Sequence, residues 1–244
     1  MRRWSALLLL SFCAAPAQAD TDFNIRCNLL ADCQSAFEGV ITDVAAALNY
    51  KALGPAEATG ITGIGIGAFV NYTPVRNDDD WQTLTGTDVD FVGMAGVVAT
   101  KGLPFGIDVG AFYTAVPDTS VKAYGAELRY AILEGGMASP ALAVRGAFVR
   151  TSGIDDFDYD AYSVDVSLSK GFTFLTPYIG AGYVWAEADP QADVASTTGL
   201  SKAEVDEQRF FAGMRVSLLL LEITPEYERT GSNSAYNLRL GFSF

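Results

Sequence analysis

The chain has 244 residues, half of them hydrophobic, with 16 basic and 29 acidic side chains and no histidine. A net charge of −13 excludes nucleic acid as a partner, because phosphate binding requires clustered Lys and Arg. Histidine is the usual general base of hydrolases and acyltransferases, so its absence predicts a non-enzymatic protein. A Ser–Lys or paired-Asp mechanism stays open chemically, but no residue spacing indicates one.

The first 19 residues have the pattern of a cleaved export signal. Arg2 and Arg3 precede an apolar run from Trp4 to Ala15, and Ala17-Gln18-Ala19 supplies small residues before a cleavage site at Asp20. Cleavage leaves 14 basic and 29 acidic residues, a net charge of −15. A lipid-modified Cys13 is the alternative, but the preceding phenylalanine stands where that modification requires a small residue.

After the signal, no apolar run approaches the length of a membrane-spanning helix, and Phe91–Thr100 and Val216–Leu221 are among the longest. Residence in the inner membrane is therefore not expected. Cys27 and Cys33 are predicted to form a disulfide, because an exported chain meets an oxidising periplasm and no histidine is available for a metal site.

Residues 20–60 are predicted to form an N-terminal periplasmic segment with one amphipathic helix from about residue 35 to 50. Its apolar residues recur at helical spacing: Phe37, Ile41, Val44 and Leu48. Gly54-Pro55 follows the helix. We favour a cover packed on the mouth of a barrel. The alternative is a plug inside the lumen, for which Ala45 to Ala47 would keep the helix thin.

From Ile61 onward the sequence divides into ten segments of strand length, in which apolar and small or polar residues alternate. They are Ile61–Pro74, Thr87–Thr100, Phe105–Val116, Ser120–Leu133, Ala141–Thr151, Tyr159–Gly171, Pro177–Ala188, Val205–Leu218, Leu220–Thr230 and Ala235–Phe244. The odd-numbered connections are mostly long and acidic and the even-numbered ones short. Pro225 removes a backbone donor inside a strand and suggests a bulge or a different boundary.

The last segment has the clearest alternation, with one face formed by Tyr236, Leu238, Leu240, Phe242 and Phe244. In this it resembles the small porin-like and OmpA-like outer-membrane β-barrel proteins of Gram-negative bacteria. The resemblance implies an all-β fold, a closed antiparallel up-and-down transmembrane barrel of about ten strands, with eight or twelve as alternatives. It also implies an outer-membrane location, contact with lipid and lipopolysaccharide, and a C-terminal strand that the barrel assembly machinery recognises.

Opposite the apolar residues the strands carry small side chains and a few charges, as the interior of a narrow barrel requires. We predict a charge network in the lumen formed by Asp108, Glu127, Arg129, Arg145, Asp165, Arg209, Arg215, Glu222, Glu226 and Arg239. Tyr, Trp and Phe cluster near both strand ends, as in the aromatic belts of membrane proteins.

The sequence therefore predicts a structural or narrow-pore role, with a lumen plugged by Arg–carboxylate pairs. The alternatives are a porin-like channel for small solutes and a surface adhesin that acts through acidic extracellular loops. Asp78–Asp80 and Asp155–Asp160 invite a calcium hypothesis, but neither fits an EF-hand loop. No cofactor, metal or catalytic residue is predicted.

Overall fold

A computed structural model describes residues 24–27, 32–136 and 138–244. The predicted export signal, residues 1–19, lies outside the described residues. The described part holds ten strands, three α-helices and one 3-10 turn. None of these helices has the length and hydrophobicity needed to cross a membrane.

The ten strands form one closed antiparallel barrel in which each strand pairs with its neighbours in sequence and β1 pairs with β10. The strands are β1 (Ile64–Pro74), β2 (Phe91–Gly102), β3 (Ile107–Ala115), β4 (Lys122–Glu134), β5 (Ala141–Ser152), β6 (Phe157–Ser169), β7 (Leu175–Pro190), β8 (Ala203–Leu218), β9 (Leu221–Thr230) and β10 (Asn233–Ser243). The closing pair runs in register from Gly65–Ser243 to Tyr72–Tyr236. The predicted fold and strand number are confirmed.

Side chains alternate between the outside and the inside of this barrel. Leu238 and Leu240 are 40% and 49% exposed on the outer surface, whereas Arg239 between them is 8% exposed. The exposed aromatic residues form two belts. One contains Tyr72, Tyr113, Tyr124, Tyr162, Tyr183, Trp185, Tyr227 and Tyr236, and the other Phe105, Tyr130, Phe172, Phe174, Phe242 and Phe244. An apolar band between aromatic belts is the surface that a bilayer selects.

The two ends of the barrel differ. At the turn end, where β1 begins and β10 ends, most connections are short. At the loop end the β1–β2 connection contains α2 (Asp78–Thr85) and the β7–β8 connection contains α3 (Ala192–Thr198). Neither helix is predicted by the sequence. Asp78, Asp79 and Asp80 form the first turn of α2, where carboxylates interact favourably with the helix dipole.

The N-terminal helix α1 (Cys33–Leu48) lies within the ring of strands, as the plug alternative predicts, and does not cover the barrel mouth from outside. Its residues contact strands around the ring, among them β2, β7, β8 and β10, and its largest helix contact is with α2 at the loop end. The physical reason is that α1 is apolar on most sides. Val40 and Ala47 are fully buried although they lie outside the predicted apolar stripe.

Pro225 lies inside β9 and faces outward. The pairing of β8 with β9 keeps one register from Gly213–Glu226 to Val216–Ile223, but the pairs at Met214 and Arg215 are not formed. The proline therefore interrupts the ladder without shifting it, since proline has no amide hydrogen to donate. The predicted bulge is absent from this described pair of strands.

Candidate functional site: the occupied lumen

The lumen is filled by α1 and by the chain that follows it. We call residues 49–60 the strap, because they run from α1 near the loop end to the start of β1 at the turn end. Strap backbone atoms are bound by strand side chains along the way. The amide of Leu53 donates to Glu226, that of Ala56 to Ser169 and that of Thr59 to Asp108, over distances of 2.9 to 3.1 Å.

Nearest the loop end, Asp43 of α1 joins the helix to the β1–β2 connection and to the start of β10. Its carboxylate accepts hydrogen bonds from the Trp81 indole at 3.0 Å, from the backbone amide of Asn77 at 3.1 Å and from the side chain of Asn233, the first residue of β10. Asp43 is almost completely buried. These bonds satisfy the desolvated carboxylate and hold α1 against α2 and β10.

The next layer is centred on Glu228, which is fully buried. Its carboxylate contacts Lys51 Nζ at 3.0 Å and Arg209 Nη2 at 2.9 Å, and it accepts a hydrogen bond from Asn49 at 2.9 Å. Arg209 also reaches Asp165 at 3.4 Å. Two members of this layer, Lys51 and Asn49, belong to the strap, so the charge network joins the plug to the barrel wall.

Arg145 and Arg129 form the middle layers, and each binds both the barrel and the strap. Arg145 pairs with Asp165 at 2.8 Å and donates to the carbonyl of Ala52 at 3.2 Å. Arg129 pairs with Asp108 at 2.6 Å and donates to the carbonyl of Pro55 at 2.8 Å. Guanidinium groups carry several donors in a fixed plane, so one arginine can satisfy a carboxylate and a backbone carbonyl together.

At the turn end, Arg215 pairs with Glu57 of the strap, and Glu222 lies 3.7 Å from Arg215 and 3.8 Å from Arg239. The glycines of β1 give Arg239 its space. A Cβ atom on Gly67 would lie 2.7 Å from Arg239 Nε. The glycine-rich face of β1 is therefore a wall against which this side chain lies.

A cavity of about 260 Å³ remains at the turn end between the strap and the wall. It is lined by charged groups, including Glu127, Arg129, Arg215 and Arg239. Such a polar cavity is large enough to hold several water molecules. A second cavity, of about 320 Å³, lies at the loop end and is lined mainly by apolar side chains.

The structure brings together all ten residues predicted for the lumen network: Asp108, Glu127, Arg129, Arg145, Asp165, Arg209, Arg215, Glu222, Glu226 and Arg239. It also brings in polar residues outside that set of ten, namely Asp43, Asn49, Lys51, Glu57 and Glu228. Four of these precede the barrel. Lys51 was missed because a lysine outside a strand is normally solvated. The sequence did contain an indication that Lys51 is buried, because this lysine follows a predicted helix with very few charges.

Cys27, ahead of α1, forms a disulfide with Cys33, the first residue of α1. The amides of Arg26 and Cys27 both donate to the carbonyl of Leu84 in α2, and the amide of Ile25 donates to Asp156 between β5 and β6. Residues 24–27 therefore lie at the loop end. The chain passes from there through the lumen to β1 at the turn end. Within the described residues, no group of three or more His, Cys, Asp or Glu side chains is arranged to hold a metal ion.

A closed sheet with an apolar, aromatic-belted outer face and a charged, occupied interior defines an integral outer-membrane β-barrel protein. No protein-family model matches the sequence, and no curated protein matches it.

Three of the solved structures with a similar fold are bacterial barrel proteins or domains. The N-terminal barrel of Pseudomonas aeruginosa OprF shares 12% identity, with 76% of this chain and 99% of that chain covered and a TM-score of 0.35. Yersinia pestis Ail shares 14%, with 75% and 97% covered and a TM-score of 0.37. The translocator domain of the autotransporter NalP from Neisseria meningitidis shares 11%, with 88% and 98% covered and a TM-score of 0.41. Identities and scores this low support no conclusion about the function of this chain.

Proposed function

We propose that this protein is a sealed outer-membrane barrel whose lumen is closed by its own N-terminal segment. The observation that carries the proposal is the strap. It is bound at successive levels of the lumen by Glu228, Arg145, Arg129 and Arg215. The Arg–carboxylate pairs bind the strap, and their charges also neutralise one another. The role is structural, and a pore opens only if the strap leaves.

The proposed orientation places the loop end outside the cell. Outer-membrane barrels have short periplasmic turns and longer extracellular loops. The connections with α2 and α3 are both at the loop end. In this orientation α1 plugs the outer mouth, and residues 24–27 lie at the cell surface rather than in the periplasm.

Catalysis is not part of the proposed role. The chain has no histidine. The buried carboxylates of the lumen are bound by arginine, lysine, amide or hydroxyl groups, an arrangement that stabilises structure.

Conductance in planar lipid bilayers tests the sealed state. The full chain should show no steady current, whereas the porin-like alternative predicts a constant open conductance. Ala46→Pro would break α1, since an interior proline costs about 3 kcal/mol, and should produce opening events. Ala195→Pro breaks the short helix α3 outside the lumen and should stay closed. Steady conductance of the unaltered chain, or equal behaviour of the two variants, would contradict the sealed lumen.

A second candidate function, binding at the cell surface, is favoured by the length of β7 and β8. Each has 16 residues, whereas about 9 to 11 suffice for a transmembrane strand. Their hairpin therefore extends beyond the bilayer, with exposed Glu187, Asp189, Asp193 and Glu204 near its tip. Removal of residues 189–204 should abolish adhesion to cells if this hairpin is an adhesin, and should leave the bilayer current unchanged.

A further inference from the structure

The lining of the apolar cavity at the loop end includes no residue of the strap. It has a volume of about 320 Å³ and lies between α1, α2 and the neighbouring connections. Its buried lining includes Val44, Leu48, Trp81, Val92, Val121 and Phe157. Volumes of this size are typical of small-ligand sites, and an apolar lining offers few partners to water.

Two charged groups lie at the edge of this cavity. Arg26 is exposed, and none of the ion pairs found among residues 24–27, 32–136 and 138–244 includes it. Asp118 of the β3–β4 connection is also exposed. Arg26 precedes the disulfide to α1, and its backbone amide is bound to α2, so the backbone that carries this cation is held beside the cavity.

We propose that this cavity binds a small single-chain amphiphile with a carboxylate head group. The alkyl chain would occupy the space beside Trp81, and the carboxylate would face Arg26. Charge complementarity selects the anion, because the cation has no described carboxylate partner. The exposed carboxylate of Asp118 opposes this attraction. The proposal does not depend on whether the lumen is sealed.

The tryptophans of the chain provide a direct test. There are three, and Trp4 lies in the predicted export signal. Trp81 lines the cavity, whereas Trp185 is on the outer surface in the aromatic belt. In a Trp185→Phe variant reconstituted in lipid vesicles, fluorescence reports the cavity alone. In Trp81→Phe it reports the bilayer.

The probe is 10-bromodecanoate, whose bromine quenches a nearby indole. We expect saturable quenching in Trp185→Phe and a linear, non-saturating response in Trp81→Phe. Arg26→Gln should weaken binding of the anion about two- to fivefold, the effect of an exposed ion pair, and Asp118→Asn should strengthen it. Neither should change the binding of 10-bromodecanol.

Val121→Phe, which fills the cavity, should remove the saturable component, whereas Val164→Phe on the outer surface should retain it. Heat-modifiable migration on a detergent gel confirms that each variant is folded. Linear quenching in both single-tryptophan proteins would show partition into the bilayer and overturn the proposal. Equal affinity for acid and alcohol, unchanged by Arg26→Gln, would overturn the carboxylate assignment.

Discussion

Glu228 is the residue whose replacement tests the plug most severely. It is fully buried, and so are its two cationic partners, Lys51 and Arg209. Glu228→Gln keeps the shape of the side chain but removes its charge. Arg209 retains Asp165 at 3.4 Å, whereas Lys51 loses its carboxylate partner and keeps neutral acceptors such as the carbonyl of Ala46, at 2.7 Å. Removing one partner of a buried ion pair costs about 3–5 kcal/mol, because the other charge stays desolvated.

The lost free energy should weaken the docking of the strap in the lumen and leave the pairing of β1 with β10 intact. Hydrogen exchange of amides in residues 45–53 should accelerate strongly in Glu228→Gln, while the pairs between β1 and β10 stay protected. Lys51→Met combined with Glu228→Gln should recover part of the protection, since the unpaired cation is gone. Glu187→Gln is the matched control. Its partner Lys202 is well exposed, so the cost should be at most about 1 kcal/mol. Equal exchange in Glu228→Gln and Glu187→Gln would refute the reasoning.

Three further changes have defined outcomes. Replacing Cys27 and Cys33 by serine removes a disulfide between residues six positions apart and should cost about 2 kcal/mol of local stability. Amide hydrogen exchange should become faster in α1 and stay unchanged in the strands. Unchanged protection of the α1 amides would contradict this. Pro225→Val restores a backbone N–H donor to the interrupted ladder between β8 and β9 and should raise the free energy of unfolding in urea by about 1 kcal/mol. An unchanged free energy of unfolding would contradict this. Burial raises the pKa of the Asp80 carboxyl, and Asp43 and Asp79 raise it further. The folded state therefore holds this proton more tightly than the unfolded state, and the packing of α2 should weaken as pH rises above about 4, through the raised pKa of Asp80. Asp80→Asn should reduce this pH dependence, measured as amide hydrogen exchange in α2. An exchange rate that depends on pH equally in the variant and the unaltered chain would exclude Asp80 as the cause.

The barrel could be predicted from the sequence because its physical cause is local. In Tyr236–Phe244 every second side chain must face lipid, so the period of two is visible along the chain. The lumen charges follow from the same alternation, since Arg129, Arg145 and Arg239 fall on the opposite face. Strand limits differ from prediction by a few residues, as at β1, where Ile61–Gly63 precede the first paired residue.

The position of α1 could not be predicted in the same way, because it depends on which residues surround the helix. Phe37, Ile41, Val44 and Leu48 form a stripe that would suit a surface cover equally well. The distinguishing residues are Val40 and the alanines, which leave only a narrow polar stripe on the helix. The partners of the strap are equally non-local, since Lys51 and Glu228 are 177 positions apart.

The most direct test of the account is the side of the membrane on which the N-terminal segment emerges. An epitope inserted between Phe23 and Asn24 should be bound by antibody on intact cells, because residues 24–27 lie at the loop end. The same epitope between Ala138 and Ser139, in the β4–β5 turn at the opposite end, should be bound only after the outer membrane is permeabilised. Labelling of the first epitope only after permeabilisation, in protein shown to be folded by heat-modifiable migration, would contradict a plug that enters from the cell surface.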